Sequence, residues 1–267
     1  MSVRNAYVTA CAVCLAALLF PVRSQAVTVV APECQARFAA QDVNGVFVLF
    51  DPETQAEIVS DPELADTGYL PASTFKILHA LIALETGVVS GPDELFSWDG
   101  KDRGYGPWNR DQTLRSAVEH SCVWVFQEIA RRIGRERMQR YVDLADYGNR
   151  DISGALDSFW LDGGLRITPR QQTAFLQRLY AGELPFSRDA MEQVKDMILV
   201  EKTDAYALWA KTGWASRVYP QTGWLVGWVE KDGKARFFAT AVEIRKVDDA
   251  RARYAVSRSL LQDFGAL

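Results

Sequence analysis

The chain has 267 residues, 30 Lys and Arg against 34 Asp and Glu, and a formal net charge of −4. A mildly acidic chain without basic runs argues against nucleic acid and against anionic membrane surfaces as partners. The length permits one large domain, or two intertwined lobes, with ample core.

Residues 1–26 read as a secretory signal, with Arg4 at the front, an apolar run over residues 10–20 and the small-residue exit Ser24-Gln25-Ala26. The run is too short to span a bilayer comfortably, and no other stretch approaches ~20 apolar residues. Cleavage after Ala26 would leave about 241 residues. Losing Arg4 and Arg23 would take the net charge from −4 to −6. The expected product, residues 27–267, is a single domain, periplasmic or secreted and without a membrane anchor. Cys11 and Cys14 form a C-x-x-C that leaves with the signal, so it marks neither redox chemistry nor zinc. The remaining cysteines, Cys34 and Cys122, could pair if the fold brings them together, yet the second lies in an apolar helical context where a buried free thiol is commoner.

Residues 43–50 and 56–59 read as two strands joined by the turn Asp51-Pro52-Glu53-Thr54, a hairpin near the mature N-terminus. The most apolar helix follows. It opens at Pro71-Ala72-Ser73-Thr74-Phe75-Lys76 and runs to Gly87, with apolar residues on every side, which predicts burial all round. Residues 90–111 form a loop rich in Gly, Trp and Asp, a surface loop or the rim of a site. Residues 113–134 are helical with a break near His120-Ser121, and residues 135–147 form a helix closed by Gly148. Thr168-Pro169 starts a third helix by the N-cap and proline-at-N1 rule, and residues 187–199 give a fourth. Strands return at 205–212, 223–231 and 234–244, the last two joined by Asp232-Gly233, before an amphipathic helix over 248–264. Strands at both ends with helices between them predict an α+β fold. One antiparallel sheet is built from the N- and C-terminal segments (about 43–60 and 205–267), and a helical lobe (about 73–200) is inserted. A cleft where the lobes meet at the Ser73 helix is the natural site.

Ser73 and Lys76, three residues apart, stack on one helical face. Burial of Lys76 would lower its pKa and leave a neutral amine beside a hydroxyl, a base beside a nucleophile. The plainer alternatives are a serine N-cap and a lysine that snorkels to water. Other routes to hydrolysis are poorly served. His79 and His120 are the only histidines and there is no G-x-S-x-G, which disfavours a Ser-His-Asp triad. His79 reads as a core or surface residue of its helix. No H-x-x-H or H-E-x-x-H occurs, and phosphate-cradling glycine loops are absent. Three further signals follow in order: Ser121-Cys122-Val123, Tyr147-Gly148-Asn149 and Lys211-Thr212-Gly213. Gly213 would let a substrate lie close against the backbone.

Together with Phe96-Ser97-Trp98-Asp99-Gly100, Phe159-Trp160-Leu161 and the run over 223–230, these motifs resemble the class D serine β-lactamases of the penicillin-recognising superfamily. The resemblance covers nearly all of the mature chain. It implies the serine β-lactamase/transpeptidase-like fold and hydrolysis of β-lactams through an acyl-enzyme. Ser73 would be the nucleophile and Lys76 the base, N-carboxylated by carbon dioxide, with no other cofactor and no metal. By the same resemblance Ser121 relays a proton to the lactam nitrogen and Lys211 and Thr212 face the substrate carboxylate. The N–H groups of Ser73 and Trp214 form the oxyanion hole, and Arg253, or its neighbour Arg251, binds the carboxylate. Val123, Phe126, Trp160 and Leu161 wall the base, with the Trp160 indole as a donor to it. Tyr105, Trp108 and Trp214 would form an aromatic rim, and position 216, apolar in some relatives, is serine here. The expected state is monomer or homodimer. A β-lactam sensor or a penicillin-binding transpeptidase would share the serine and lysines but acylate without turnover.

Overall fold

The computed structural model describes residues 27–267, so the expected signal segment with Cys11 and Cys14 lies outside it. A seven-stranded sheet runs through the middle: β1 (Val27–Val30), β2 (Gly45–Asp51), β3 (Ala56–Val59), β6 (Leu199–Lys202), β7 (Tyr206–Ala215), β8 (Gln221–Lys231) and β9 (Lys234–Ile244). The spatial order is β1-β3-β2-β9-β8-β7-β6, antiparallel throughout except for the parallel pair β1–β3. A separate two-stranded ribbon pairs β4 (Leu95–Phe96) with β5 (Gln112–Thr113).

The sheet is covered on both faces, and strand alternation assigns each side chain to one of them. Val46 and Val48 of β2, with Trp224, Val226 and Trp228 of β8, face the larger core under the helices. Phe47 and Leu49, with Leu225 and Val229, face the smaller one. That second layer is made by α1 (Gln35–Ala39) and α10 (Asp249–Asp263). Double-sided burial is why β8 and β9 read as nearly unbroken apolar runs. Asp232 and Gly233 both take positive φ, 52° and 74°, the geometry of a tight two-residue hairpin.

On the larger core stand α2 (Pro62–Ala65), α3 (Lys76–Glu85), α4 (Leu114–Glu119), α5 (Val123–Ile133), α6 (Arg135–Leu144), α7 (Phe159–Asp162), α8 (Pro169–Ala181) and α9 (Arg188–Met197). α8 begins with a full capping box, Thr168 Oγ1 accepting from Gln171 N and Gln171 Oε1 from Thr168 N, and ends at left-handed Gly182. α3 is buried on all sides: eight of its ten residues, Lys76 included, are inaccessible. Among the described residues no helix is long and apolar enough to cross a membrane. Cys34 and Cys122 are buried free thiols, one in each core.

Two expectations are corrected. The Ser73 segment begins as a 3-10 turn, Ala72–Phe75, and becomes α-helical only at Lys76. The helix over 135–147 stops at Leu144, so Gly148 is not its cap. Gly148 instead crosses the backbone of Arg166 so closely that a Cβ would meet the Arg166 carbonyl oxygen at 2.1 Å. Asn149 ties the same segment down, donating to Gly164 O at 2.9 Å and accepting from Arg166 N at 2.9 Å.

Candidate active site

The turn carrying Ser73 is pinned from three directions. Trp224 Nε1, on β8, donates to Leu70 O at 2.9 Å. Gln172 Nε2, on α8, donates to Thr74 Oγ1 at 2.8 Å, and Thr74 Oγ1 donates to Pro71 O at 2.7 Å. β7 presses against it at Gly213, where a Cβ would stand 2.9 Å from Pro71 O. Glycine is therefore required for docking the turn on the sheet. Held in this way, Ala72 adopts φ 47°, a left-handed conformation that costs a non-glycine residue on the order of 1–3 kcal/mol.

Lys76 Nζ donates to Ser73 Oγ at 3.0 Å. The lysine is 0% exposed, and its amine lies 5.1 Å from the centre of the Phe126 ring. Burial, reinforced by the like charge of Lys211, pushes its pKa well below the usual lysine value. An ammonium offers three protons, and Ser73 is the acceptor that Lys76 Nζ has here. The neutral amine fits this pocket better than the cation. Phe75, His79, Phe126, Phe159 and Trp160 pack around the same point, with His79 and Trp160 ring centres 5.1 Å apart. The Trp160 indole N–H and both His79 ring nitrogens are buried without a hydrogen-bond partner.

The second hydroxyl sits at the break between α4 and α5. Ser121 takes φ 52°, and Trp108 Nε1 holds the preceding residue by donating to His120 O at 2.8 Å. Lys211 Nζ, from β7, donates to Ser121 Oγ. Burial first, then the nearby Arg253 guanidinium, lowers the Lys211 pKa to about 7. Arg253 reaches from α10 to donate to Gly213 O at 3.2 Å, while its Nε is buried without a partner. Lys76, Lys211 and Arg253 take part in none of the ion pairs among the described residues. Lys211 and Arg253 thus bring to the cleft cationic groups held in no ion pair, suited to an anionic ligand, with Glu119 the carboxylate in the lining.

Ser73, Ser121, Val123, Leu161, Thr212, Gly213, Trp214 and Arg253 line one cavity of about 610 Å³. Lys76, Lys211, Phe126 and Trp160 stand behind its wall, buried. Arg251, the other arginine considered, is exposed and outside the lining.

The chain matches the penicillin binding protein transpeptidase domain over residues 45–263. It is 42% identical over 227 residues to β-lactamase OXA-48 of Klebsiella pneumoniae, covering 85% of this chain and 86% of that one. It is 41% identical over 233 residues to β-lactamase OXA-10 of Pseudomonas aeruginosa, covering 86% and 88%. Among solved structures, the class D β-lactamase YbXI from Nostoc superposes with a TM-score of 0.86 at 42% identity, over 88% of this chain and 99% of that one. The chain belongs to the class D β-lactamases. These enzymes hydrolyse β-lactams through a serine acyl-enzyme and need no metal cofactor.

Within this class D framework, the Tyr-Gly-Asn motif lies away from the cavity. The Tyr147 ring is buried against Phe75 and Phe175, at 5.6 and 5.0 Å between ring centres, and packs against the turn that carries Ser73. Tyr105 and Trp108 form an edge-to-face pair, 5.5 Å between centres, and line the cavity together with Trp214 and Ser216. Sequence reading missed Glu119, His120, Arg217 and Tyr254, which also line the cavity. Glu119 and His120 were findable as the residues preceding Ser121, and Tyr254 as the neighbour of Arg253. Arg217 carried no signal: it pairs at 2.8 Å with Asp162, 55 residues away.

Proposed function

We propose that Ser73 is the acylated nucleophile of this β-lactamase and Lys76 the base for both acylation and deacylation. The observation that carries this reading is the 3.0 Å contact from a fully buried Lys76 amine to the Ser73 hydroxyl. Lys76 takes the Ser73 proton while the Ser73 oxygen bonds the lactam carbonyl carbon. The lactam C–N bond then breaks, and its nitrogen takes a proton from Ser121, which Lys211 replenishes. Before deacylation Lys76 gives the Ser73 proton to solvent and Lys211 regains one from solvent, which restores the base. Water then bonds the acyl carbon and gives a proton to the Lys76 side, the bond from the acyl carbon to the Ser73 oxygen breaks, and Ser73 takes that proton back. Ser73 N–H, at the start of a helical turn where no intrahelical acceptor exists, and Trp214 N–H stabilise the oxyanion, at ~3–4 kcal/mol per donor. Thr212, Lys211 and Arg253 hold the substrate carboxylate.

Lys76 is read as N-carboxylated. The chain's residues fit that group: a buried amine of lowered pKa is reactive toward carbon dioxide, and the partnerless Trp160 N–H is a donor in need of an acceptor. When present, the group supplies a carboxylate-like base that is ionised at neutral pH. Val123, Phe126 and Leu161 keep water from the amine. Export through residues 1–26 would place the enzyme in the periplasm or outside the cell.

The test is turnover of a chromogenic cephalosporin by the mature protein. Many turnovers per site, falling when carbon dioxide is purged and recovering with bicarbonate, are expected. One stoichiometric burst would assign the chain to acylation without turnover, and indifference to carbon dioxide would remove the carboxylated lysine.

A further inference from the structure

His79 is a fully buried titratable side chain with no part in the steps above. It stands one helical turn beyond Lys76, on the same face of α3. Its ring lies 5.2 Å from Phe126, the same ring that the Lys76 amine approaches at 5.1 Å, and 5.1 Å from Trp160. Neither ring nitrogen has a hydrogen-bond partner. An imidazole serving only as core filler is an expensive choice, because each orphaned polar atom forfeits its hydration.

The imidazole is neutral: its complete burial pushes its pKa well below the ordinary 6.5. A neutral imidazole carries one N–H, whichever nitrogen holds it. With the Trp160 indole it gives the Lys76 pocket two unsatisfied N–H donors. An ammonium has no use for donors, nor does a bare amine need two of them. An anionic acceptor on Lys76 does.

We propose that His79 is a positioning residue that donates its ring N–H, alongside Trp160, to stabilise the carboxylated state of Lys76. The proposal rests on the carboxylated-lysine reading given above. In that reaction the Lys76 nitrogen bonds the carbon of carbon dioxide, a C=O π pair moves onto oxygen, and the amine proton leaves to water. The product's two oxygens match the two waiting donors, so the pocket favours it over free amine.

The experiment uses the mature full-length protein equilibrated with 13C-bicarbonate, reading the carbamate carbon by NMR across a bicarbonate titration. Wild type should give the resonance; its absence would remove the carboxylated lysine and this proposal with it. If it is present, His79→Leu should need roughly tenfold more bicarbonate for half-occupancy, the equivalent of one hydrogen bond to a charged group. His79→Asn, which keeps a donor, should recover most of that loss. Half-occupancy in His79→Leu equal to wild type would overturn the role of His79. A second readout needs no variant. With only two histidines in the chain, 15N-histidine labelling should show His79 resonances that move between purged and bicarbonate-equilibrated protein. Unmoved His79 resonances, in protein whose 13C signal is present, would likewise overturn it.

Discussion

Lys211 Nζ donates to Ser121 Oγ across the seam between the sheet and the helical lobe, joining residues 90 positions apart. Burial and the nearby Arg253 bring its pKa to about 7, so Lys211, in the reading proposed above the cation that draws the substrate carboxylate, changes charge near neutrality. The protonated form is the active one here, so kcat/KM should fall as pH rises through about 7. Lys211→Arg, charged at every accessible pH, should lose that alkaline limb but run below wild type, because a guanidinium cannot pass a proton to Ser121, and Lys211→Ala should lower kcat/KM by ~10²-fold or more. The pH–rate profiles of the three proteins check this.

Gly213 lets the Ser73 turn dock on β7 by having no side chain. A Cβ there would lie 2.9 Å from Pro71 O and 3.2 Å from Thr74 Cγ2, so Gly213→Ala must displace the turn or the strand. A shift approaching 1 Å costs up to ~10²-fold in rate when it misaligns reacting atoms. The expected result is at least a tenfold loss in acylation rate, with destabilisation of about 1–3 kcal/mol from overpacking. Stopped-flow acylation and denaturant unfolding of the variant read the two effects separately.

His79 also makes a prediction for acid stability. Its folded pKa, about 3, lies below its ordinary value of 6.5. Between these values the unfolded chain binds a proton that the folded protein refuses. Its contribution to stability is therefore complete above about 6.5 and is lost as pH falls toward about 3. The slope reaches at most ~1.4 kcal/mol per pH unit. His79→Leu should flatten the urea-unfolding profile across that interval relative to wild type; parallel profiles would contradict burial of the neutral ring.

Much of this was legible in the sequence because it is local. Ser73 and Lys76 are one helical turn apart, Thr168-Pro169 spells a helix start, and Asp232-Gly233 between apolar runs spells a hairpin. What escaped is set by long-range packing. β1 pairs in parallel with β3 although all four of its residues are exposed, so it carries no alternation to read. The Asp162–Arg217 pair joins two segments with no shared pattern, 55 residues apart. The left-handed backbone at Ala72 and Ser121 is imposed by neighbours, since neither residue type favours it. Gly148 and Gly213 were recognisable as special positions, yet their partners, Arg166 and Pro71, exist only in the folded chain.

The account turns on Lys76 serving Ser73 in both halves of the cycle, and intact-protein mass spectrometry of Lys76→Ala mixed with a penicillin tests it directly. The variant should acylate slowly at Ser73 and stay acylated, gaining the mass of the intact penicillin for hours, while wild type returns to its own mass as substrate is consumed. A Lys76→Ala protein that clears its acyl group as fast as wild type would contradict the role assigned to this lysine.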